Sequence, residues 1–340
     1  MNIEIKNNRI KTYNSIDLAK FIMAVAVIAI HTNPTQNSRN QIINNLYENV
    51  ICMAVPFFFL ATGYLLAKRM DDTNDKSNIL LVRKHLIKLI KMYVSWMIIY
   101  MPMAVYHDMV SHTPRKEAFI SYIRGFLFMG EQYNAWQLWY LLSSIYALIL
   151  IIILFACKIP LKKILWVSLA FVLLSVGIDW FMMLETDIPY AMSILQKLIK
   201  YSIEDTRILR GIIYISIGMY LANNKISLKI SIAMFSAGFI INYFLQNRTL
   251  KFLLLIVTMI GLFGIIEKIH LKDNKIYPIL RRVSTVMYLI HMYIWSFYYF
   301  IVYGQKTLGV DSFIVTTILS CLVGFIYVHI SMKLRHKERG

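Results

Sequence analysis

Long runs of apolar side chains, separated by short polar stretches, repeat along the whole of this 340-residue chain. A helix that crosses a bilayer needs about 20 mostly apolar residues. Ten runs meet or approach that length, near residues 16–33, 47–67, 88–106, 136–156, 164–184, 208–223, 228–245, 250–266, 284–304 and 312–332. Together they take up more than half the chain, so the connecting loops are short and no separate soluble domain fits. The pattern predicts an all-α, polytopic integral membrane protein, with residues 1–340 forming a single transmembrane domain. The first run reads as a span and not as a cleavable signal. It carries Asp17 and Lys20, lacks a small-residue cleavage site, and is followed by nine more runs. Two other stretches are apolar but not spans. Residues 190–203 place Ile194, Leu195, Leu198 and Ile199 at helical spacing, and residues 118–130 are apolar but short. Both are expected as helices outside the spans, lying in the interface or capping the bundle.

Composition narrows the class further. Hydrophobic residues make up 58% of the chain and charged residues only 16%, yet the formal net charge is +18. Soluble domains average about 45–50% apolar and about 25% charged residues. These values exclude a disordered tail and an ordinary soluble enzyme. A charge of +18 raises the question of nucleic acid, but DNA binders carry their basic residues on a polar surface, which this chain lacks. No nucleic-acid partner is expected.

The charge instead reports topology. With the N-terminus inside, 24 of the 36 Lys and Arg residues fall in the inside segments 1–15, 68–91, 157–163, 223–229, 267–282 and 333–340. The acidic residues Glu117, Glu131, Glu185, Asp187, Glu204 and Asp205 fall outside. The positive-inside rule then places both termini in the cytoplasm. Cys52, Cys157 and Cys321 are far apart, with no CxxC, so neither a disulfide framework nor a metal site is expected. Walker A, HExxH and GxSxG motifs are absent.

Ionisable groups inside spans are costly and therefore informative. Asp17 and Lys20 are three residues apart and able to pair near the inner interface. His31 follows Lys20 by eleven residues, which at 100° per residue returns to the same helix face, about 16 Å along the axis. A histidine there can act as a general base, because its ordinary pKa lies near neutrality. The competing reading has Lys20 snorkelling to headgroups and His31 meeting water at the outer boundary. Lys84, Lys88 and Lys91, next to Arg83, form a basic stripe entering the third span. Such a stripe can bind a polyphosphate, for instance the nucleotide end of coenzyme A, or simply attract anionic lipid headgroups. Arg281 and Arg282 invite the same two readings.

Ser284, Tyr288 and His291 share one face of the ninth span, where they either line a site or hydrogen-bond between helices. Trp136, Trp139 and Tyr140 open the fourth span and also fit an outer aromatic belt. Pro56 and Gly63 in the second span read as packing features. Asp179, Arg207 and Arg210 are isolated charges near the outer side, placed so that they can pair with one another.

Five of these segments, taken in order, resemble the acyltransferase-3 family of bacterial membrane proteins. They are the Lys20-to-His31 spacing within SIDLAKFIMAVAVIAIH, then VPFFFLATGYLL, RKHLIKLIKMYVSW, QLWYLLS and STVMYLIHMYIW. The resemblance covers residues 15 to about 332. Within that family the chain is most similar to the membrane domain of vancomycin-resistance membrane serine racemases, through MAVPFFFLATGYLL, LWYLLS, SVGIDWF and EDTR.

The resemblance implies a bacterial plasma-membrane protein that moves an acyl group. The donor would be acetyl-coenzyme A or another acyl-coenzyme A from the cytoplasm, and the acceptor an extracytoplasmic hydroxyl. His31 would be the catalytic base, with Lys20 and Asp17 beside it. Arg83, Lys84, Lys88 and Lys91 would meet the donor phosphates, and Trp139, Tyr140, Ser284, Tyr288 and His291 would line the substrate path. The racemase likeness implies a soluble domain after the last span. No racemase-length segment is present, so no pyridoxal phosphate site is expected in this chain. Gln137 stands where the family often has histidine, and lysine replaces some of its arginines, keeping the charge but not the bidentate fork. These departures leave room for a second class of function, uptake of L-serine for an attached racemase. A pure membrane anchor needs far fewer than ten spans.

Overall fold

The computed structural model describes residues 13–71, 75–160, 163–184, 189–202, 206–302 and 308–337. Among the described residues the regular structure is entirely helical. The chain runs through α1 (Asn14–Thr32), α2 (Gln41–Ile51), α3 (Ala54–Ala67), α4 (Asp75–Val110), α5 (Arg115–Arg124) and α6 (Trp139–Ala156). It continues through α7 (Ile164–Met182), α8 (Tyr190–Ser202), α9 (Arg210–Asn223), α10 (Leu228–Phe244), α11 (Arg248–Lys268), α12 (Ile276–Val302) and α13 (Val310–Lys337).

Seven stretches are long and apolar enough to cross a membrane: Asn14–Thr32, Gln41–Ala67, Asp75–Val110, Trp136–Ala156, Ile164–Met182, Arg248–Lys268 and Val310–Leu334. The three other expected spans coincide with α9, α10 and α12. The first two are shorter, at 14 and 17 residues. The third has the length, at 27 residues, but its apolar run is diluted by Tyr, His, Trp and Ser. The two stretches outside the spans are helical as expected, as α5 with a π-helical turn at Gly125–Met129 and as α8.

Local chemistry explains several boundaries. Pro56 lacks the N–H that would bond to the Cys52 carbonyl, and its ring crowds that carbonyl. The helix accordingly breaks between Ile51 and Ala54, leaving Pro56 in the first turn of α3. Asn40 caps α2 by accepting from the Ile42 N–H at 2.9 Å, and Asn247 caps α11 by accepting from the Leu250 N–H at 3.0 Å. Asn33, in the left-handed region at φ 39°, closes α1 two residues past His31. Near this end the Ala29 carbonyl accepts from the Asn33 N–H and also from the Tyr47 hydroxyl, and the Thr32 carbonyl, left without an intrahelical partner, accepts from the Gly309 N–H.

Helix α9 is the centre of the bundle, buried continuously from Gly211 to Met219. It packs along α3 where two glycines meet the opposing backbone. A Cβ on Gly63 would stand 2.0 Å from the Ile215 carbonyl oxygen, and one on Gly218 2.2 Å from that of Leu60. Any side chain at either position forces the helices apart, the small-residue packing that membrane helices use. α1 packs against α12, α4 against α6, α10 against α11, and α12 against α13. The outer surface is apolar, with Trp166 and Leu173 of α7, Phe244 of α10 and Ile301 of α12 exposed. An apolar exterior of this extent marks a lipid-facing surface.

Candidate functional site: two cavities that meet at one tyrosine

α1 carries Lys20 and His31 on one face, and each side chain lines a different cavity. The Lys20 cavity, about 350 Å³, lies between α1, α3, α4, α6 and α12. Lys20, Arg69, Lys88, Arg281 and Arg282 line it together with His85, and among the described residues no Asp or Glu does. Arg281 Nη1 reaches Asp17 Oδ2 at 3.4 Å, just beyond the cavity. Like charges gathered around a partly desolvated space repel one another unless an anion enters. Such a lining suits a multiply charged anion. Its deeper wall is neutral and polar, from Thr62, Tyr140, Ser284 and Tyr288. The Tyr140 and Thr62 hydroxyls are 3.3 Å apart, and the Ser284 hydroxyl donates to the Arg281 carbonyl at 2.9 Å.

The His31 cavity, about 270 Å³, lies at the opposite end of α1 and is bordered by Trp136, Trp139, Arg207, Arg210 and Tyr214. Tyr288 lines both cavities. Its hydroxyl donates to the Gln137 carbonyl, which fixes the ring as a partition between them. Gln137 is held in turn, its Nε2 donating to the Tyr100 hydroxyl at 2.9 Å while that hydroxyl donates to the Leu289 carbonyl at 2.8 Å.

His31 stacks on Trp136, with ring centroids 6.1 Å apart, and faces His291 at 5.3 Å. His291 is fully buried. Its Nδ1 lies 3.1 Å from the Met287 carbonyl and donates to it, and its Nε2 has no partner among the described residues. Neither ring nitrogen of His31 hydrogen-bonds to a described residue, so the imidazole is open to the cavity.

The sequence-chosen residues separate in space. Lys20, Lys88, Tyr140, Ser284 and Tyr288 converge on the basic cavity. His31, Trp139 and Tyr288 line the other, with His291 behind His31. Arg83, Lys84 and Lys91 do not join them: they lie on an exposed face of α4, and of the basic stripe only Lys88 lines the cavity. Arg69 and His85 take their place. His85 sits one residue from the stripe, and Arg69 reads in the sequence only as an inside-loop charge.

One expected pairing is redirected. Asp17 makes its ion pair with Arg281 of α12, not with Lys20. Arg207 pairs with Glu131 at 2.6 Å and lies over the Trp139 ring, while Asp179 accepts from the Thr206 hydroxyl at 3.4 Å. Arg210 lies 5.6 Å from the Phe252 ring centre. For Asp17 a partner on another helix replaces the one nearest in sequence. The acidic residues Glu185, Asp187, Glu204 and Asp205, the last two from the EDTR segment, lie outside the described residues.

Comparison with known proteins decides the family. The acyltransferase-3 family, an acyltransferase domain, matches residues 13–329. The chain belongs to this family. Two relatives, both named amino-acid racemase and both from Enterococcus faecalis, are similar over part of their length. One is 33% identical over 141 residues, 42% of this chain and 19% of the relative. The other is 26% identical over 147 residues, 40% of this chain and 19% of the relative. The matched segment thus spans about a fifth of each relative. No solved structure matches.

Proposed function

We propose that this chain transfers an acyl group, in the simplest case acetyl, from a cytoplasmic acyl-coenzyme A to a hydroxyl of an extracytoplasmic acceptor. One observation carries the reading: a strongly basic cavity and a histidine-bearing cavity lie at opposite ends of α1 and share Tyr288. In this reading the chain is a single bacterial plasma-membrane domain of ten spans with both termini in the cytoplasm, and the Lys20 end faces inward. A soluble racemase domain joined after the last span fits the relatives' name and the cytoplasmic C-terminus.

Lys20, Arg69, Lys88, Arg281 and Arg282 hold the phosphates of the donor by charge-assisted hydrogen bonds. Asp17 positions Arg281. The slender pantetheine arm carries the thioester past Tyr140, Ser284 and Tyr288 toward His31. His31 accepts the proton of the acceptor hydroxyl. The oxygen forms a bond to the thioester carbon, the carbon–sulfur bond breaks, and the proton passes from the imidazole to the departing thiolate. Trp136 and His291 hold the His31 ring in place, and Trp139 lines the acceptor side. Arg83, Lys84 and Lys91 remain with the lipid headgroups.

The relatives' name favours a second reading, in which the same two cavities take L-serine in turn and Tyr288 closes each off from the other. Titrating the purified chain with acetyl-coenzyme A by calorimetry separates the two. Saturable binding that is lost in a Lys20→Gln, Arg282→Gln double variant supports transfer. Absence of binding, with labelled serine uptake by vesicles containing the chain, supports transport.

A further inference from the structure

The His31 cavity holds two arginines in different circumstances. Arg207 and Arg210 stand three residues apart where the chain turns into α9, and both line the cavity with His31. Arg207 is neutralised by Glu131 at 2.6 Å. Arg210 makes no ion pair and no hydrogen bond with a described residue. Its Nε is enclosed by protein, and the Phe252 ring centre lies 5.6 Å from its guanidinium carbon. The two Nη groups are therefore what Arg210 presents to the cavities it lines. Among the described residues no Asp or Glu lines the His31 cavity. The adjoining cavity, about 200 Å³, shares Arg210 and is lined also by Glu48, Asp179, Arg248 and Lys251. Neither of those carboxylates pairs with Arg210, and the cations there outnumber them, so Arg210 keeps an uncompensated charge.

A cation held within a membrane bundle without a counter-charge is costly and marks a site. The planar fork of an arginine matches a carboxylate or a phosphate. His31 opens onto the same space, which at about 270 Å³ is small enough for one compact molecule to meet both groups. We propose that the acceptor taken by the His31 cavity carries an anionic group beside the hydroxyl that reacts. Arg210 holds the anion and His31 receives the hydroxyl. A neutral alcohol of the same size leaves Arg210 uncompensated, so the cavity selects by charge as well as by fit. The reaction of that hydroxyl rests on the transfer reading above; recognition of the anion does not.

Carboxylate and phosphate share this chemistry, so the test uses matched pairs. The full chain in nanodiscs of zwitterionic lipid is titrated with L-serine against L-serinamide, with glycerol phosphate against glycerol, and with acetyl-coenzyme A on the same sample. Saturable binding of L-serine or glycerol phosphate is expected, about tenfold or more tighter than that of its counterpart without the anion. Which of the two binds identifies the anion as carboxylate or phosphate. Arg210→Gln is expected to weaken that binding about tenfold or more and to remove the preference. Arg210→Lys, which keeps the charge without the fork, is expected to retain part of the preference. Lys251→Gln, which lines the adjoining cavity and not this one, is expected to leave it intact. Acetyl-coenzyme A binding and the thermal midpoint are expected to persist in all three variants, which also shows that they are folded. The proposal is overturned if neither anion binds, or if the counterparts bind as tightly. It is equally overturned if folded Arg210→Gln keeps the preference, or if Lys251→Gln costs as much as Arg210→Gln. An unaltered chain that binds an anion through Arg210 but does not bind acetyl-coenzyme A counts against the transfer reading and leaves this site standing.

Discussion

His31 and His291, on the first and last-but-one helices, face each other with ring centroids 5.3 Å apart. His291 donates through Nδ1 to the Met287 carbonyl, which leaves its other nitrogen bare. Only His31 lines the cavity. Under the proposed transfer, the pair divides into an imidazole that meets substrate and one that supports it. His31→Asn is expected to lower acyl transfer by about 10²–10⁴-fold, the range for a lost acid–base group, with acetyl-coenzyme A binding unchanged. His291→Asn is expected to cost less, and to alter the pH profile of transfer without abolishing it. Initial rates of labelled acetyl transfer across pH, for both variants, check this.

The basic cavity makes an electrostatic prediction. Arg282→Gln and Lys20→Gln each remove one charge from a site that no carboxylate lines among the described residues. Hydrogen bonds to charged groups contribute about 1.5–3 kcal/mol, so each change is expected to weaken acyl-coenzyme A binding by roughly ten- to a hundred-fold. Binding by the unaltered chain is expected to weaken as salt rises, and the variants to depend on salt less steeply. By contrast, Lys84→Gln, on the exposed face of α4, is expected to leave the affinity near its original value. Calorimetric titrations at two ionic strengths check all three.

Tyr288 predicts a distinction between two substitutions. Tyr288→Phe keeps the ring but strips the Gln137 carbonyl of its hydroxyl donor. Tyr288→Ala removes the partition altogether. The phenylalanine variant is expected to lose stability by about 1–3 kcal/mol and to retain coupled transfer. The alanine variant is expected to hydrolyse acetyl-coenzyme A without acceptor, because water reaches the thioester from the His31 side. Thiol release measured with and without acceptor distinguishes them.

The crossing of α3 and α9 predicts a stability effect remote from both cavities. Gly218→Ala places a methyl where the Leu60 carbonyl oxygen stands at 2.2 Å. Overpacking of this kind costs about 1–3 kcal/mol, and the thermal midpoint is expected to fall. Gly177→Ala is the control, since a Cβ there meets nothing within 4 Å. Thermal unfolding of both in one detergent checks the contrast.

Much of this architecture was legible in the sequence because apolar runs and helical phase are local properties. Over the described residues each expected span overlaps helix, the second being interrupted between Ile51 and Ala54, and Lys20 and His31 share a face as their spacing requires. The stripe of Lys84, Lys88 and Lys91 was only partly informative. Phase showed that the three lysines align, but not which turn of α4 would face the cavity shared with α1 and α12. That choice brought in Lys88, His85 and, from the turn after α3, Arg69. Pairings failed for the same reason. Asp17 is three residues from Lys20 but 264 from Arg281, and only tertiary packing ranks the second above the first. Tyr288 looked like one member of a polar face. Its place between two cavities depends on Gln137 of α6's entry turn, which no spacing rule connects to α12.

The central claim is that an acyl group entering at the Lys20 cavity leaves on an acceptor at the His31 side. The direct measurement seals acetyl-labelled coenzyme A inside vesicles that hold the chain in one orientation, with candidate hydroxyl acceptors, L-serine and glycerol phosphate among them, supplied outside. The account predicts labelled ester in the external medium, dependent on the unaltered chain and lost with His31→Asn. Labelled ester that forms equally with His31→Asn, or acetyl-coenzyme A consumed only when donor and acceptor share the same side, contradicts it.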